Sequence, residues 1–148
     1  MILLAFQTTE MRELTTTLES QKTEYLNLSR KYDSLKEELT QYLADDDFDR
    51  FQSYDLMILR ETFEDKKKAY HQIQVTREQI KLREIYEESE KIPKGTVEYY
   101  QTYIEYYEQK LNVIRIRNGE YSYNKYKPVA NHQISLAKEK IRKVEATA

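Results

Sequence analysis

Residues 11–42 read MRELTTTLESQKTEYLNLSRKYDSLKEELTQY, and this stretch decides the fold. Its apolar residues recur in steps of three and four, with Gln21 at the one polar position of the series. Such heptad spacing lays a single apolar stripe along a helix and is typical of helices packed as a coiled coil. We predict one helix over residues 3–43, roughly 60 Å long at 1.5 Å per residue, in an elongated molecule. The stripe consists of Met11, Leu14, Leu18, Tyr25, Leu28, Tyr32, Leu35, Leu39 and Tyr42.

The composition excludes most other fold classes. Charged residues make up 34% of the 148-residue chain, which has 2 Gly, 2 Pro and no Cys. So few turn-forming residues cannot serve the many turns of a sandwich, a barrel or a doubly wound sheet. Without Cys, neither a disulfide framework nor a thiolate metal site is available. We expect a single all-α domain over residues 1–148.

Sequence breaks predict three further helices. A run of three aspartates marks the first bend, and Pro93 with Gly95 marks the second, after which Thr96 is suited to cap a helix. Pro128 suits the first turn of a last helix. We predict an elongated antiparallel coiled-coil hairpin with two shorter helices packed on it, like a four-helix bundle. The predicted helices cover residues 3–43, 48–90, 97–117 and 128–146.

The second predicted helix carries its own apolar stripe, with Lys66 and Arg77 at two of the heptad positions. Long cationic side chains can lay their stems on a core and keep the charge in water. We therefore expect this stripe to face the first helix. Its apolar members are Leu56, Leu59, Phe63, Tyr70, Ile73 and Ile80.

The dipeptide Asn118-Gly119 has two interpretations. Asn-Gly between alternating residues is a strong signal for a small β-hairpin, here over residues 113–124. The other interpretation ends the third helix at Asn118, with Gly119 as the residue that follows it. The helical neighbours favour the second interpretation.

Residues with catalytic or metal-binding chemistry are sparse. His71 and His132 lack the Glu-x-x-His spacing of a di-metal bundle, and two distant glycines cannot form a phosphate-binding loop. The acidic run at residues 45–47, with Asp49, lacks the ligand spacing of a calcium loop and suits a solvated helix start. We therefore expect no catalytic residues, no cofactor and no metal, and hence no enzyme.

The longest purely apolar run, Met1 to Phe6, is far short of the ~20 residues that span a bilayer. No basic segment precedes it, as a secretory signal would require. We expect no transmembrane segment and a cytoplasmic protein, with a secreted mature form as the alternative. If exposed, Ile2, Leu3 and Phe6 would form an apolar patch that could dock a partner.

Tyrosine is abundant, with 14 residues, and some of it exceeds the needs of a helix seam. In the third helix, Tyr99, Tyr103 and Tyr106 form a second stripe beside the seam. Tyrosine is enriched at protein interfaces, so these three are candidate contact residues. The alternative is that the fourth helix of the same chain covers them.

The last quarter of the chain is basic, with nine Lys and Arg against three Asp and Glu in residues 110–148. Interleaved aromatic and basic residues could stack on single-stranded bases, dock an acidic protein face, or fold back on the acidic part of the chain. The overall pI near 5.8 argues against nucleic acid as the partner. The candidate residues of this segment are Tyr121, Tyr123, Lys125, Tyr126 and Lys127.

The sequence thus predicts a non-enzymatic helical protein that acts through protein–protein contact, as an adaptor or structural subunit of a larger assembly. Apolar and tyrosine stripes would pack on a helical or acidic partner, and rim charges would select it. One alternative is a coiled-coil structural protein that assembles with copies of itself. Another is a binder of anionic surfaces or single-stranded nucleic acid through residues 115–127.

The anion-binding alternative makes a direct prediction. The chain should bind a polyanion resin and elute by ~0.2 M salt, since phosphate-like contacts weaken steeply with salt. Charge reversal at Lys125 and Lys127 should abolish this retention. Retention that survives the double reversal would exclude this segment as the anion-binding surface.

Overall fold

The computed structural model describes residues 8–45 and 53–147. The described residues form four α-helices and no strand, which confirms the predicted all-α bundle. The predicted helix starts at residues 3 and 48 lie outside the described residues. The helices are α1 (Thr9–Ala44), α2 (Ser53–Lys91), α3 (Val97–Asn118) and α4 (Glu120–Thr147).

The helix α3 begins and ends at the predicted signals. The hydroxyl of Thr96 accepts a hydrogen bond from the backbone N–H of Tyr99 at 3.2 Å, which is an N-cap contact. At the other end, Gly119 adopts φ 91° and donates its N–H to the carbonyl of Arg115 at 2.9 Å. The interpretation of Gly119 as a helix-ending residue is therefore confirmed.

The β-hairpin considered for residues 113–124 is wrong. Val113 is buried inside α3, and the Asn-Gly pair joins two helices instead of two strands. The residues before Gly119 also fit the helical spacing of Tyr107, Leu111 and Ile114, in steps of four and three, which favours a helix over a strand.

The helix α4 starts at Glu120, eight residues before the predicted start at 128. No glycine or proline interrupts residues 120–127, and the acidic Glu120 suits the positive end of a helix dipole. Pro128 lies inside the helix, where it lacks the N–H that would bond to the carbonyl of Asn124. Burial of Ala130, Ile134 and Ala137 on α3 offsets that loss.

The chain divides into two compact units. Unit 1 takes its described residues from Met1–Leu14 and Val75–Ala148, and unit 2 comprises Thr15–Gln74. The units are described separately below.

In unit 1, polar contacts join α2 to α3. The side-chain amide of Gln109 donates to the Glu78 carboxylate at 2.8 Å, and that of Asn112 donates to the same carboxylate oxygen at 2.9 Å. The hydrogen bond from Gln109 lowers the pKa of Glu78, partly opposed by burial. The buried apolar side chains of this unit are Met11, Leu111, Val113, Ala130, Ile134 and Ala137.

In unit 2, the helices α1 and α2 run antiparallel. The rings of Tyr25 and Tyr70 lie 5.7 Å apart, and those of Tyr32 and Phe63 also lie 5.7 Å apart. A later residue of α1 thus meets an earlier residue of α2. The predicted antiparallel arrangement of these two helices is therefore present in this unit.

The buried positions of α2 match the predicted stripe at Ile73 but lie one residue before it at Thr62 and Ala69. Thr62 and Ala69 are 2% and 4% exposed, whereas Phe63 and Tyr70 are 42% and 45% exposed. The prediction that Phe63 and Tyr70 are buried members of the seam is therefore wrong, although both rings pack against tyrosines of α1. Short side chains such as Thr62 and Ala69 fit between packed helices, whereas aromatic rings need more room and lie more readily at the edge of the contact. Thr62 satisfies its hydroxyl by donating to the carbonyl of Ile58 at 2.8 Å.

None of the described helices contains a stretch that is both apolar and long enough to cross a membrane.

Gly119 provides a test of the α3–α4 connection. Its φ of 91° and ψ of −179° lie in a region that essentially only glycine adopts. Gly119→Ala should lower the free energy of unfolding by about 1–3 kcal/mol. No atom lies within 4 Å of the added Cβ, so the cost is backbone strain. Denaturant unfolding measures this loss of stability. Asn118→Ala is the control and should change the free energy of unfolding much less. Equal stability of the two variants would contradict the strained conformation.

Candidate functional site

Two layers of paired aromatic rings lie on one face of unit 2. The first layer is Tyr25 with Tyr70, and the second is Tyr32 with Phe63. Both pairs are tilted, with interplanar angles of 47° and 43°. Within each helix the two layers are one heptad apart, roughly 10 Å along the axis. We call this feature, together with Lys66, the aromatic groove.

Lys66 lies between the two layers. Its ammonium nitrogen is 5.7 Å from the ring centroid of Tyr25 and 5.3 Å from that of Tyr32, which are cation–π distances. In sequence it follows Phe63 by three residues and precedes Tyr70 by four. Among the residues that the structure describes, no carboxylate is within ion-pair distance of this ammonium group.

The groove is open to solvent and cationic. Its volume is about 300 Å³, and its lining also includes Lys67, His71 and Gln74. No Asp or Glu belongs to the described lining. Such a surface can accept apolar side chains on its rings and carboxylates at its ammonium groups. The groove thus offers rings for apolar packing and ammonium groups for pairing with carboxylates.

The tyrosine stripe of α3 has partners within unit 1. The Tyr103 hydroxyl donates to the side-chain oxygen of Gln133 on α4 at 3.1 Å, and its ring packs 5.0 Å from that of Tyr107. Tyr99 lies half-buried beside Tyr103, and Tyr106 packs against Tyr86 of α2 at 6.2 Å. The chain itself therefore covers part of each of the three predicted contact residues.

The helical conformation of the basic segment, residues 121–127, places some of its side chains in solvent and others against the rest of the chain. Tyr121 is 80% exposed, and Lys125 and Lys127 are exposed as well. By contrast, Tyr123 is half-buried, with the Arg115 guanidinium 3.8 Å from its ring centroid. Tyr126 is also half-buried.

Lys110 contributes to the inward-facing part of this segment. Its ammonium nitrogen lies 5.2 Å from the ring centroid of Tyr126. The hydrogen bond with Tyr126 raises the pKa of Lys110. Internal cation–π contacts therefore occupy Tyr123 and Tyr126, while Tyr121 and Lys125 face solvent.

Other predicted site residues lie elsewhere. Ile2, Leu3 and Phe6 are outside the described residues. His132 is exposed on α4, and His71 lines the aromatic groove. Within residues 8–45 and 53–147, no three His, Asp or Glu side chains come together as metal ligands.

Sequence reasoning missed the aromatic groove as a site because it assigned Phe63 and Tyr70 to the helix seam. A signal was present in the chain. Thr62, Ala69 and Thr76 repeat with the same seven-residue spacing, one position earlier. A heptad row of short side chains beside a row of rings indicates which row two closely packed helices can bury.

Comparisons of the chain with protein families, with curated proteins and with solved structures find no match.

Tyr103 tests how firmly the α3 tyrosines are held inside unit 1. Burial, followed by the hydrogen bond with Tyr107, raises the pKa of Tyr103 to about 12. Because the folded state favours the neutral phenol, this stability is complete below the unfolded pKa of ~10 and is lost as the pH rises towards 12.

In an absorbance titration of tyrosinate, Tyr103→Phe should remove the step at highest pH. The control Tyr121→Phe should leave that step in place. An unchanged highest step in Tyr103→Phe would show that Tyr103 is not held as described.

Proposed function

We propose that this chain is a non-enzymatic protein–protein interaction protein, an adaptor or structural subunit, and that it binds a partner helix in the aromatic groove. The observation that carries the proposal is the outward position of Phe63 and Tyr70. Each forms a layer with a tyrosine of α1, yet each keeps more than two-fifths of its surface exposed.

The exposed apolar row has the dimensions of a helix-binding surface. Leu56 lies seven residues before Phe63 and is 45% exposed, so Leu56, Phe63 and Tyr70 continue one row along α2. Fourteen residues of helix extend the row over roughly 21 Å, or about four turns. An amphipathic helix that lies along such a row can place apolar side chains between its members, as in helix-in-groove recognition.

Aromatic anchors are suited to carry the affinity. Rings such as Phe63 and Tyr70 bury a large apolar area on binding and lose little side-chain entropy, because each has few rotatable bonds. Such residues commonly contribute about 2 kcal/mol or more each at the centre of an interface. Leu26 and Met57, about half exposed, add apolar surface to this unit.

Removing the two exposed rings tests the proposal. The double variant Phe63→Ser with Tyr70→Ser should keep its helicity by circular dichroism, because the buried stripe is formed by other residues. It should lose proteins that the wild-type chain retains from native extract, by about 30-fold or more in quantitative mass spectrometry, since one central ring alone contributes about 2 kcal/mol.

Tyr121→Ser is the matched control, because it removes an exposed ring outside the groove. It should retain the same proteins as wild type. Loss of retention in Tyr121→Ser but not in the double variant would move the docking surface to α4. Light scattering separates self-assembly, since a wild-type dimer that the double variant makes monomeric would identify a second copy as the partner.

A further inference from the structure

We infer that the helix bound in the aromatic groove is acidic, with a carboxylate between two apolar side chains spaced one heptad apart. This inference rests on the proposed docking function and names the chemistry of the partner. It follows from the position of Lys66 between the two ring layers and from the charge of the groove lining.

The first step is the cost of covering Lys66. A partner helix that contacts both ring layers must also pass over the ammonium group between them, 5.7 Å and 5.3 Å from the Tyr25 and Tyr32 centroids. Removing an ammonium group from water without an opposite charge is costly. The two rings provide only part of the compensation through their cation–π contacts. A partner carboxylate at this position supplies the rest.

The second step is the sign of the surrounding charge. Lys67 and His71 line the groove beside Lys66, and the described lining contains no carboxylate. Glu64 approaches Lys67 only at 4.0 Å, and both side chains of that pair are more than half exposed. Within the described lining, Lys66 is therefore the cation left to pair with a partner carboxylate, and it favours an acidic helix over a basic one, which is a source of specificity.

The third step is the spacing. The layers of Phe63 and Tyr70 are seven residues apart, and Lys66 lies three residues from one and four from the other. A helix aligned with α2 matches this spacing when its apolar residues stand at positions i and i+7 and an Asp or Glu stands at i+3 or i+4. Reversing the partner helix turns position i+3 into i+4. The same pattern can therefore bind in a parallel or an antiparallel orientation.

Two synthetic helical peptides can test the inference on the full-length chain. Both carry Leu at i, i+7 and i+14, and they differ only in having Glu or Lys at i+3 and i+4. In fluorescence anisotropy at low salt, the Glu peptide should bind at least tenfold more tightly than the Lys peptide. Raising the salt concentration should reduce the difference in affinity between the two peptides, since screening weakens exposed charge pairs.

Variants at Lys66 test whether this residue causes the preference for the Glu peptide. Lys66→Glu should reverse the preference, and Lys66→Met, which keeps a long side chain, should remove it. Lys31→Glu is the matched control, an exposed lysine of α1 in the same unit that is not part of the groove lining, and it should keep the wild-type preference. Circular dichroism confirms that each variant is folded.

The outcomes separate this inference from the proposed function. Suppose that both peptides bind with equal affinity and that the Phe63→Ser, Tyr70→Ser variant binds neither. The groove is then a docking site, but the inference that its partner helix is acidic is wrong. If neither peptide binds while protein retention still depends on Phe63 and Tyr70, the inference also fails and the proposed function stands. A Glu preference that Lys66→Glu leaves unchanged overturns the role of Lys66.

Discussion

The burial of two short side chains in α2, Thr62 and Ala69, in place of the neighbouring rings is the constraint on which the surface of unit 2 depends. Two helices approach closely only where small groups lie between their backbones. In unit 2, the buried side chains of α2 include the short Thr62 and Ala69. Because neighbouring helical residues are about 100° apart, Phe63 and Tyr70 must then lie at the edge of the seam.

The aromatic residues of the two units differ in what covers them. In unit 1, the Tyr103 hydroxyl donates a hydrogen bond to Gln133, and the Arg115 guanidinium lies over the ring of Tyr123. Residues of the same chain therefore contact these two tyrosines. In unit 2, the rings of Phe63 and Tyr70 each pair with one tyrosine among the described residues and keep an exposed outer side. The same residue class thus stabilises one unit internally and forms an open surface on the other.

Charge gives the open surface of unit 2 a chemical preference. Lys66 lies over the rings of Tyr25 and Tyr32, and Lys67 and His71 line the same groove. An apolar surface alone accepts many partners, whereas a cation fixed between two apolar contacts rejects helices that cannot pair with it. The combination of exposed rings and the fixed Lys66 cation is the physical basis of the proposed selective docking.

The sequence by itself determined the helices and several of their ends, since the heptad spacing, the Thr96 cap and the Gly119 conformation are local properties of the chain. It did not determine the start of α4, because burial of Ala130 and Ile134 offsets the proline inside that helix. Nor did it determine the face of α2 that is buried. Both the row with Thr62 and the row with Phe63 repeat every seven residues, and hydrophobicity favours the second. Only tertiary packing selected the first row and left the rings of Phe63 and Tyr70 partly exposed, because short side chains fit between packed helices where rings need more room.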